Sequence, residues 1–213
     1  MKSSVAERPR PRRLMARPLL LRSAFAACAI AAGIGSAAAD ADNGRTKAET
    51  CATCHGNNGI STMENVPSLA SQPDLFLQWQ LVFFRSGARK NETMAPLAEQ
   101  LSNEDVRDLG AYFASLKAAD SSSAKAPDDH PELAEAGKQA AAAGKCASCH
   151  GENYSGNKAA ARIAGQREEY IVKALHDYKA GVRTGGGVAA MAEVAYPLSD
   201  DAITALAHYL SRL

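Results

Sequence analysis

Cys-x-x-Cys-His occurs twice in this chain, as CATCH over residues 51–55 and CASCH over residues 146–150, and these copies hold four of its five cysteines. A segment that must present two thiols and an imidazole together restricts the local backbone, and its repetition restricts the whole chain. After the first copy the sequence can be laid on itself. Pro67–Arg89 aligns with Ala161–Arg183, and Met94–Leu116 aligns without a gap with Met191–Leu213. In that last pair Met, Ala, Ala, Leu, Ser, Leu, Tyr and Leu recur at the same offsets. Solenoid repeats have periods of roughly 20–50 residues. The much longer period here means two tandem domains.

Both units carry helical periodicity. Leu75, Phe76, Trp79, Val82 and Phe83 have the spacing of one helix face. Ser102 can cap a helix with Asp105 three residues on, and Val106, Leu109, Tyr112, Phe113 and Leu116 continue it as a stripe. Ile203, Leu206, Leu210 and Leu213 repeat that stripe at the end of the second unit. PELAEAGKQAAAAGK, ahead of the second Cys pair, is a strong helix former apart from its glycines. No alternating pattern longer than a few residues suggests a strand. The expected fold is all-α. Its two domains span residues 40–117 and 133–213, joined by a Ser-, Pro- and charge-rich linker over 118–132. Domains of this size are marginal alone and often recruit a staple.

Residues 1–39 have the plan of a secretory signal peptide. Lys2 and six arginines form a basic leader, an apolar run spans 23–34, and Ala37–Ala39 fits a cleavage site before Asp40. The run of ~12 apolar residues is short of the ~20 that a membrane-spanning helix needs. The expectation is therefore export to the periplasm with no stable span after cleavage. An uncleaved leader acting as an anchor is the alternative. Arg12-Arg13 lacks most of a twin-arginine context, and Phe25 stands where a lipidation motif at Cys28 would want leucine. The leader contains seven of the 24 basic and one of the 23 acidic residues, leaving 17 and 22, net −5. A net-acidic chain lacks the electrostatic footprint of a nucleic-acid binder.

Several chemistries use paired cysteines at this spacing. Zinc ribbons place their two pairs ~15–20 residues apart, far closer than here. A redox-active Cys-x-x-Cys would follow a strand in a βαβ pattern, which is missing. A disulfide framework suits an exported chain but does not explain why His follows the second Cys both times. Covalent haem c does: the thiols of Cys51 and Cys54, and of Cys146 and Cys149, add to the two haem vinyl groups, and His55 and His150 become the proximal iron ligands. Two covalently attached haem groups also supply core that two small helical domains lack.

The sixth ligand separates electron transfer from gas binding or peroxide chemistry. After processing, the chain has Met63, Met94 and Met191. Met94 and Met191 precede the terminal helices at the same offset and are the candidate axial ligands; Met63, eight residues after His55, is read as a loop or packing residue. His/Met ligation leaves no open position and raises the potential. His176 and His208 have no counterparts in the first unit and are read as surface or core-edge residues, and His130 as a solvated linker residue.

Cys-x-x-Cys-His, then PSLASQ or ARIAGQ, then FRSGAR or YKAGVR, then Met ahead of the terminal helix resembles the class I cytochromes c. The tandem arrangement resembles the dihaem cytochrome c4 group over about residues 44–213. The resemblance implies two cytochrome c folds facing each other, with haem propionates near the interface. It implies a carrier, not an enzyme, that passes electrons between a quinol-oxidising complex or dehydrogenase and a terminal oxidase. Similar dihaem chains also serve as bound subunits of dehydrogenases for sulfur compounds or alcohols. Gln72, Gln166, Arg89 and Arg183 match family positions near the haem or the interface, and a surface or capping role serves them equally well. A proline carbonyl that accepts from the proximal histidine would come from Pro67 in the first unit, where the second has Ala161. Alanine lacks proline's fixed φ, so the iron held by His150 is expected to lose Met191 before the iron held by His55 loses Met94.

Overall fold

The structure is a computed structural model and describes residues 39–118, 127–184 and 189–213. The leader except Ala39, linker residues 119–126 and residues 185–188, which include the glycine run, lie outside the described residues. Regular structure in the described residues is helical, with two isolated bridges. The first half contains α1 (Ala41–His55), α2 (Asp74–Arg85), α3 (Met94–Glu99) and α4 (Asn103–Ser115). The second contains α5 (Pro131–Ala143), α6 (Ala147–His150), α7 (Glu168–Lys179), α8 (Ala189–Ala195) and α9 (Asp200–Ser211). No helix among the described residues is long and apolar enough to cross a membrane.

The halves share one packing scheme. In the first, α1 crosses α4, and α2 lies against α4 and α3. In the second, α5 crosses α9, and α7 lies against α9 and α8. Each crossing is made possible by a glycine. A Cβ on Gly44 would stand 2.1 Å from the carbonyl oxygen of Asp108, and one on Gly137 would stand 2.0 Å from that of Ala205. The same crossing puts Tyr112 Cβ and Tyr209 Cβ beside these two glycines. The glycines that weaken the helix propensity of α5 thus include one that its packing demands.

Local sequence sets the helix ends. Asp40 caps α1 by accepting from the backbone N–H groups of Asp42 and Asn43. Ser102 and Asp105 make the expected capping box on α4, and Ser199 caps α9. Gly56 and Gly151, each directly after the motif histidine, end α1 and α6 with φ of 80° and 84°.

Three features differ from the sequence expectation. α1 begins ahead of the first Cys pair, where the apolar pattern predicts no helix, because it buries only Gly44, Ala48 and His55 and has almost no apolar stripe. Met94 and Met191 sit in short helices of their own, which the apolar pattern does not predict. The halves also differ around the motif. α1 runs unbroken through CATCH, whereas α5 stops at Gly144 and Lys145 takes φ 51° before α6. Gly44 precedes Cys51 by seven residues and Gly137 precedes Cys146 by nine, so the second half absorbs two extra residues in that turn.

Candidate functional site

Cys51, Cys54 and His55 lie in the last two turns of α1, and Cys146, Cys149 and His150 occupy α6 and its first flanking residue. Positions i, i+3 and i+4 share a helix face, so each motif presents two thiols and an imidazole on one side. All four cysteines are free thiols; Cys149 is exposed and the other three are half-buried. Burial pushes the Cys51 and Cys146 thiols up. A redox-active Cys-x-x-Cys pair works through a depressed thiol pKa, and these thiols are shifted the other way.

Both imidazoles are buried, and their orientation is defined. Nδ1 of His55 lies 2.9 Å from the carbonyl oxygen of Pro67, and Nδ1 of His150 lies 2.7 Å from that of Ala161. A carbonyl only accepts, so Nδ1 carries the proton in each ring and Nε2 keeps its lone pair. Burial lowers both imidazole pKa values and outweighs the opposing effect of the carbonyl bonds. The result is a neutral imidazole with a free Nε2, the form a metal ligand needs. Ala161 replaces proline without lengthening this bond.

Met94 opens α3, where Asn91 Oδ1 accepts from its backbone N–H at 2.8 Å, and Met191 is the third residue of α8; both are half-buried. Met63 is exposed, in keeping with its reading as a loop residue. His208 is a core-edge residue, as expected, with Asp128 3.0 Å from Nε2 and Glu168 3.4 Å from Nδ1. His176 and His130 are exposed at their side chains.

The sequence leaves the roles of Gln72, Gln166, Arg89 and Arg183 open, and the structure places all four between the halves. The Gln72 amide accepts from the Arg162 backbone N–H at 2.9 Å and donates to the Arg162 carbonyl at 2.8 Å. The Gln166 amide accepts from the Ser68 N–H at 2.8 Å and donates to the Ser68 carbonyl at 2.9 Å. Ser68 and Arg162 are equivalent in the duplication, as are the two glutamines, so the contacts obey a pseudo-two-fold axis. Arg89 and Arg183 pair their backbones as an antiparallel bridge on the same interface.

The arginine side chains form a cluster that breaks this symmetry. Gln80 Oε1 accepts from Arg89 at 2.6 Å and from Arg183 at 2.9 Å. The Tyr170 hydroxyl accepts from Arg89 at 3.1 Å and from Arg183 at 3.4 Å. Sequence reasoning misses Gln80 and Tyr170. The available signal is a difference between the repeats, since their counterparts are Ala174 and Phe76. Burial would raise the Tyr170 phenol pKa, but Arg183 and Arg89 override it and bring it down to about 8. Among the described residues neither guanidinium meets a carboxylate, and Arg183 Nε is buried without a partner. The two guanidinium groups, converging on Gln80 and Tyr170, thus make a partly buried positive cluster that an anionic group would satisfy.

These features fit covalent haem. Two thiols and a neutral imidazole share a face in each half, and two uncompensated guanidinium groups stand ready for propionate carboxylates. Among large side chains of the described residues only Leu109 and Ile203 are wholly buried, so a ring between the helices would complete a thin core.

Comparison with known proteins agrees. The family model described as "Cytochrome C oxidase, cbb3-type, subunit III" matches residues 38–113, and the model described as "Cytochrome c" matches residues 134–213. The chain is 35% identical to cytochrome c4 of Azotobacter vinelandii, over 85% of this chain and 92% of that one. It is 31% identical to a thiosulfate dehydrogenase electron acceptor of Thiomonas intermedia, over 78% and 79%. The crystal structure of reduced recombinant cytochrome c4 from Pseudomonas stutzeri superposes with a TM-score of 0.73 at 33% identity, covering 83% of this chain and all of that one. A thiosulfate dehydrogenase (TsdBA) structure from Marichromatium purpuratum gives a TM-score of 0.70 at 33% identity, over 80% of this chain and 39% of that one.

Proposed function

This chain belongs to the cytochrome c4 family of dihaem electron-transfer proteins, and we propose that it shuttles single electrons in the periplasm between a quinol-oxidising complex or dehydrogenase and a terminal oxidase. The observation that carries the reading is the pair of buried imidazoles, each with Nδ1 engaged by a backbone carbonyl and Nε2 left as the donor. The leader is removed ahead of Asp40, Cys51 with Cys54 and Cys146 with Cys149 become thioethers, and the mature domains span 40–117 and 133–213.

When bound, each haem supplies a one-electron iron couple. The chain's own groups do the rest. His55 and His150 donate Nε2, and the carbonyls of Pro67 and Ala161 hold the rings in one tautomer and raise their donor strength. Met94 and Met191 would hold the iron through thioether sulfur and would leave no site for peroxide or gas chemistry. The protein is in this reading a carrier and not an enzyme. Arg89 and Arg183 neutralise propionate charge between the halves.

The test is an optical redox titration of the mature protein, followed in the red-region Met–iron charge-transfer band, with Met94→Ala and Met191→Ala beside it. Each variant is expected to bind carbon monoxide at one reduced iron, lower that haem's potential and leave the other nearly unchanged. If neither gains carbon monoxide binding, the methionine assignments are wrong.

The likeness to thiosulfate dehydrogenase electron acceptors favours a second reading, a cytochrome subunit tightly bound to a periplasmic dehydrogenase. Purification from the native membrane-free extract separates the two. A free carrier runs near its own mass, and a subunit arrives with a larger partner.

A further inference from the structure

We propose that Gln72 and Gln166 are crossed positioning residues: each sets the donor strength of the proximal histidine in the opposite half. The proposal rests on the ligation reading above and adds a route by which each domain tunes its neighbour's iron.

The route runs through single peptide units. The amide plane joining Pro67 to Ser68 has its carbonyl bonded by His55 Nδ1–H and its N–H bonded by Gln166 Oε1, at 2.9 and 2.8 Å. The plane joining Ala161 to Arg162 has its carbonyl bonded by His150 Nδ1–H and its N–H bonded by Gln72 Oε1, at 2.7 and 2.9 Å. C=O and N–H of one peptide are conjugated. An acceptor on the N–H pushes density to the carbonyl oxygen, and hydrogen bonds in such a chain strengthen one another by roughly 10–30% each. The carbonyl then pulls harder on Nδ1–H, Nε2 becomes a stronger donor, and the ferric iron is favoured.

The glutamines also fix the position of these peptides. Each is buried and uses both its oxygen and its nitrogen on one backbone residue across the boundary. The first half has an additional fastening from the second, since Arg167 donates to the Ser61 carbonyl at 3.1 Å. The Ser61 hydroxyl in turn donates to the Cys54 carbonyl and accepts from the Met63 N–H. Gln166 Oε1 also accepts from the Arg167 N–H at 3.0 Å, but a surface or capping role alone would leave the Ser68 and Arg162 N–H groups without these acceptors.

The test uses the dihaem protein with Gln166→Met and Gln72→Met, which keep side-chain volume and remove both hydrogen bonds across the boundary, with Gln166→Met also losing the bond from the Arg167 N–H. Haem signals are assigned by NMR, and the two potentials are measured. Gln166→Met is expected to raise the reduced-to-oxidised ratio of the Cys51/Cys54 haem about threefold at fixed potential, about 28 mV at 59 mV per decade. The Cys146/Cys149 haem should hold its value. Gln72→Met should do the reverse. The His55 or His150 Nδ1 proton resonance of the reduced protein should move upfield only in the half opposite the substitution. If the methionine variants fail to fold, Gln166→Asn and Gln72→Asn, one methylene shorter, should give the same crossed sign with smaller size. Equal shifts at both haems, a shift at the same-half haem, or no shift at either would overturn the proposal. Carbon monoxide binding by the Met94 and Met191 variants reports ligation independently, so loss of the crossed effect with ligation intact removes this inference alone.

Discussion

The backbone nitrogen of Asp40 lies 2.7 Å from Oδ1 of Asp108, a carboxylate buried on α4 in the first half. Removal of the leader ahead of Asp40 would turn that nitrogen into an ammonium and the contact, already charge-assisted by the carboxylate, into an ion pair. Asp108→Asn should then cost about 3 kcal/mol in the processed chain and about 1.5 kcal/mol when an extra alanine precedes Asp40, the upper and lower ends of the range for hydrogen bonds to charged groups. Denaturant unfolding of the four proteins measures this. Equal costs would mean that the new terminus takes no part in the fold, and intact mass locates the cut itself.

Gly137→Ala should be destabilising by about 1–3 kcal/mol, because the added methyl meets the Ala205 carbonyl and α5 must lift from α9. Gly44→Ala should do the same to α1 and α4. Gly87, where nothing lies within 4 Å of an added Cβ, is unsuitable as a neutral control because its φ is 72°. Glu49, exposed on α1, serves instead, and Glu49→Ala should change the midpoint little. Thermal unfolding followed at the haem band distinguishes the halves.

The two methionines should not be held equally. Asn91 Oδ1 accepts from the backbone N–H groups of Thr93 and Met94, fastening the start of α3. Asn91→Ala should loosen that turn by about 1 kcal/mol. Its Met94 methyl resonance, followed by NMR on heating, should disappear at lower temperature than in the parent protein, with the Met191 signal unchanged. Coincident loss of both signals would show that this cap does not hold the ligand.

Acid should remove one identifiable contribution from the first half. Lys47 beside Asp105, with the Ser102 backbone N–H and hydroxyl, holds that carboxyl down at about 2 against an ordinary 3.8. A carboxyl depressed on folding stabilises above its unfolded value, and the contribution fades as pH falls from about 4 to about 2. The stability difference between the parent and Asp105→Asn should therefore be constant from neutral pH to about pH 4.5 and shrink below it. Ser102→Ala should cost about 1 kcal/mol through the same box. A difference that is flat down to pH 2 would contradict the assigned ion pair.

The duplication, the terminal helices and the candidate ligands are legible in the amino-acid order because their determinants are local. Two thiols and an imidazole must sit within one turn of helix, and an apolar stripe must recur at helical spacing. Ser102 and Asp105 declare a helix start within four residues, and the structure has the box they imply. α1 is not legible, since a helix that buries two small residues and a histidine leaves no stripe to read. In the sequence Gly44 and Gly137 are weak points of their helices; the crossing helices show what a side chain there would strike. The contact from His150 to Ala161 is no longer than the one from His55 to Pro67. Proline's advantage is a fixed φ within its own residue, whereas Gln72 pins the neighbouring Arg162 backbone from the other half. Such contacts join residues 90 and 98 positions apart. Only docking of the two halves could decide them, because a buried amide is satisfied by whichever backbone the fold brings within about 3 Å, and no local pattern encodes that partner.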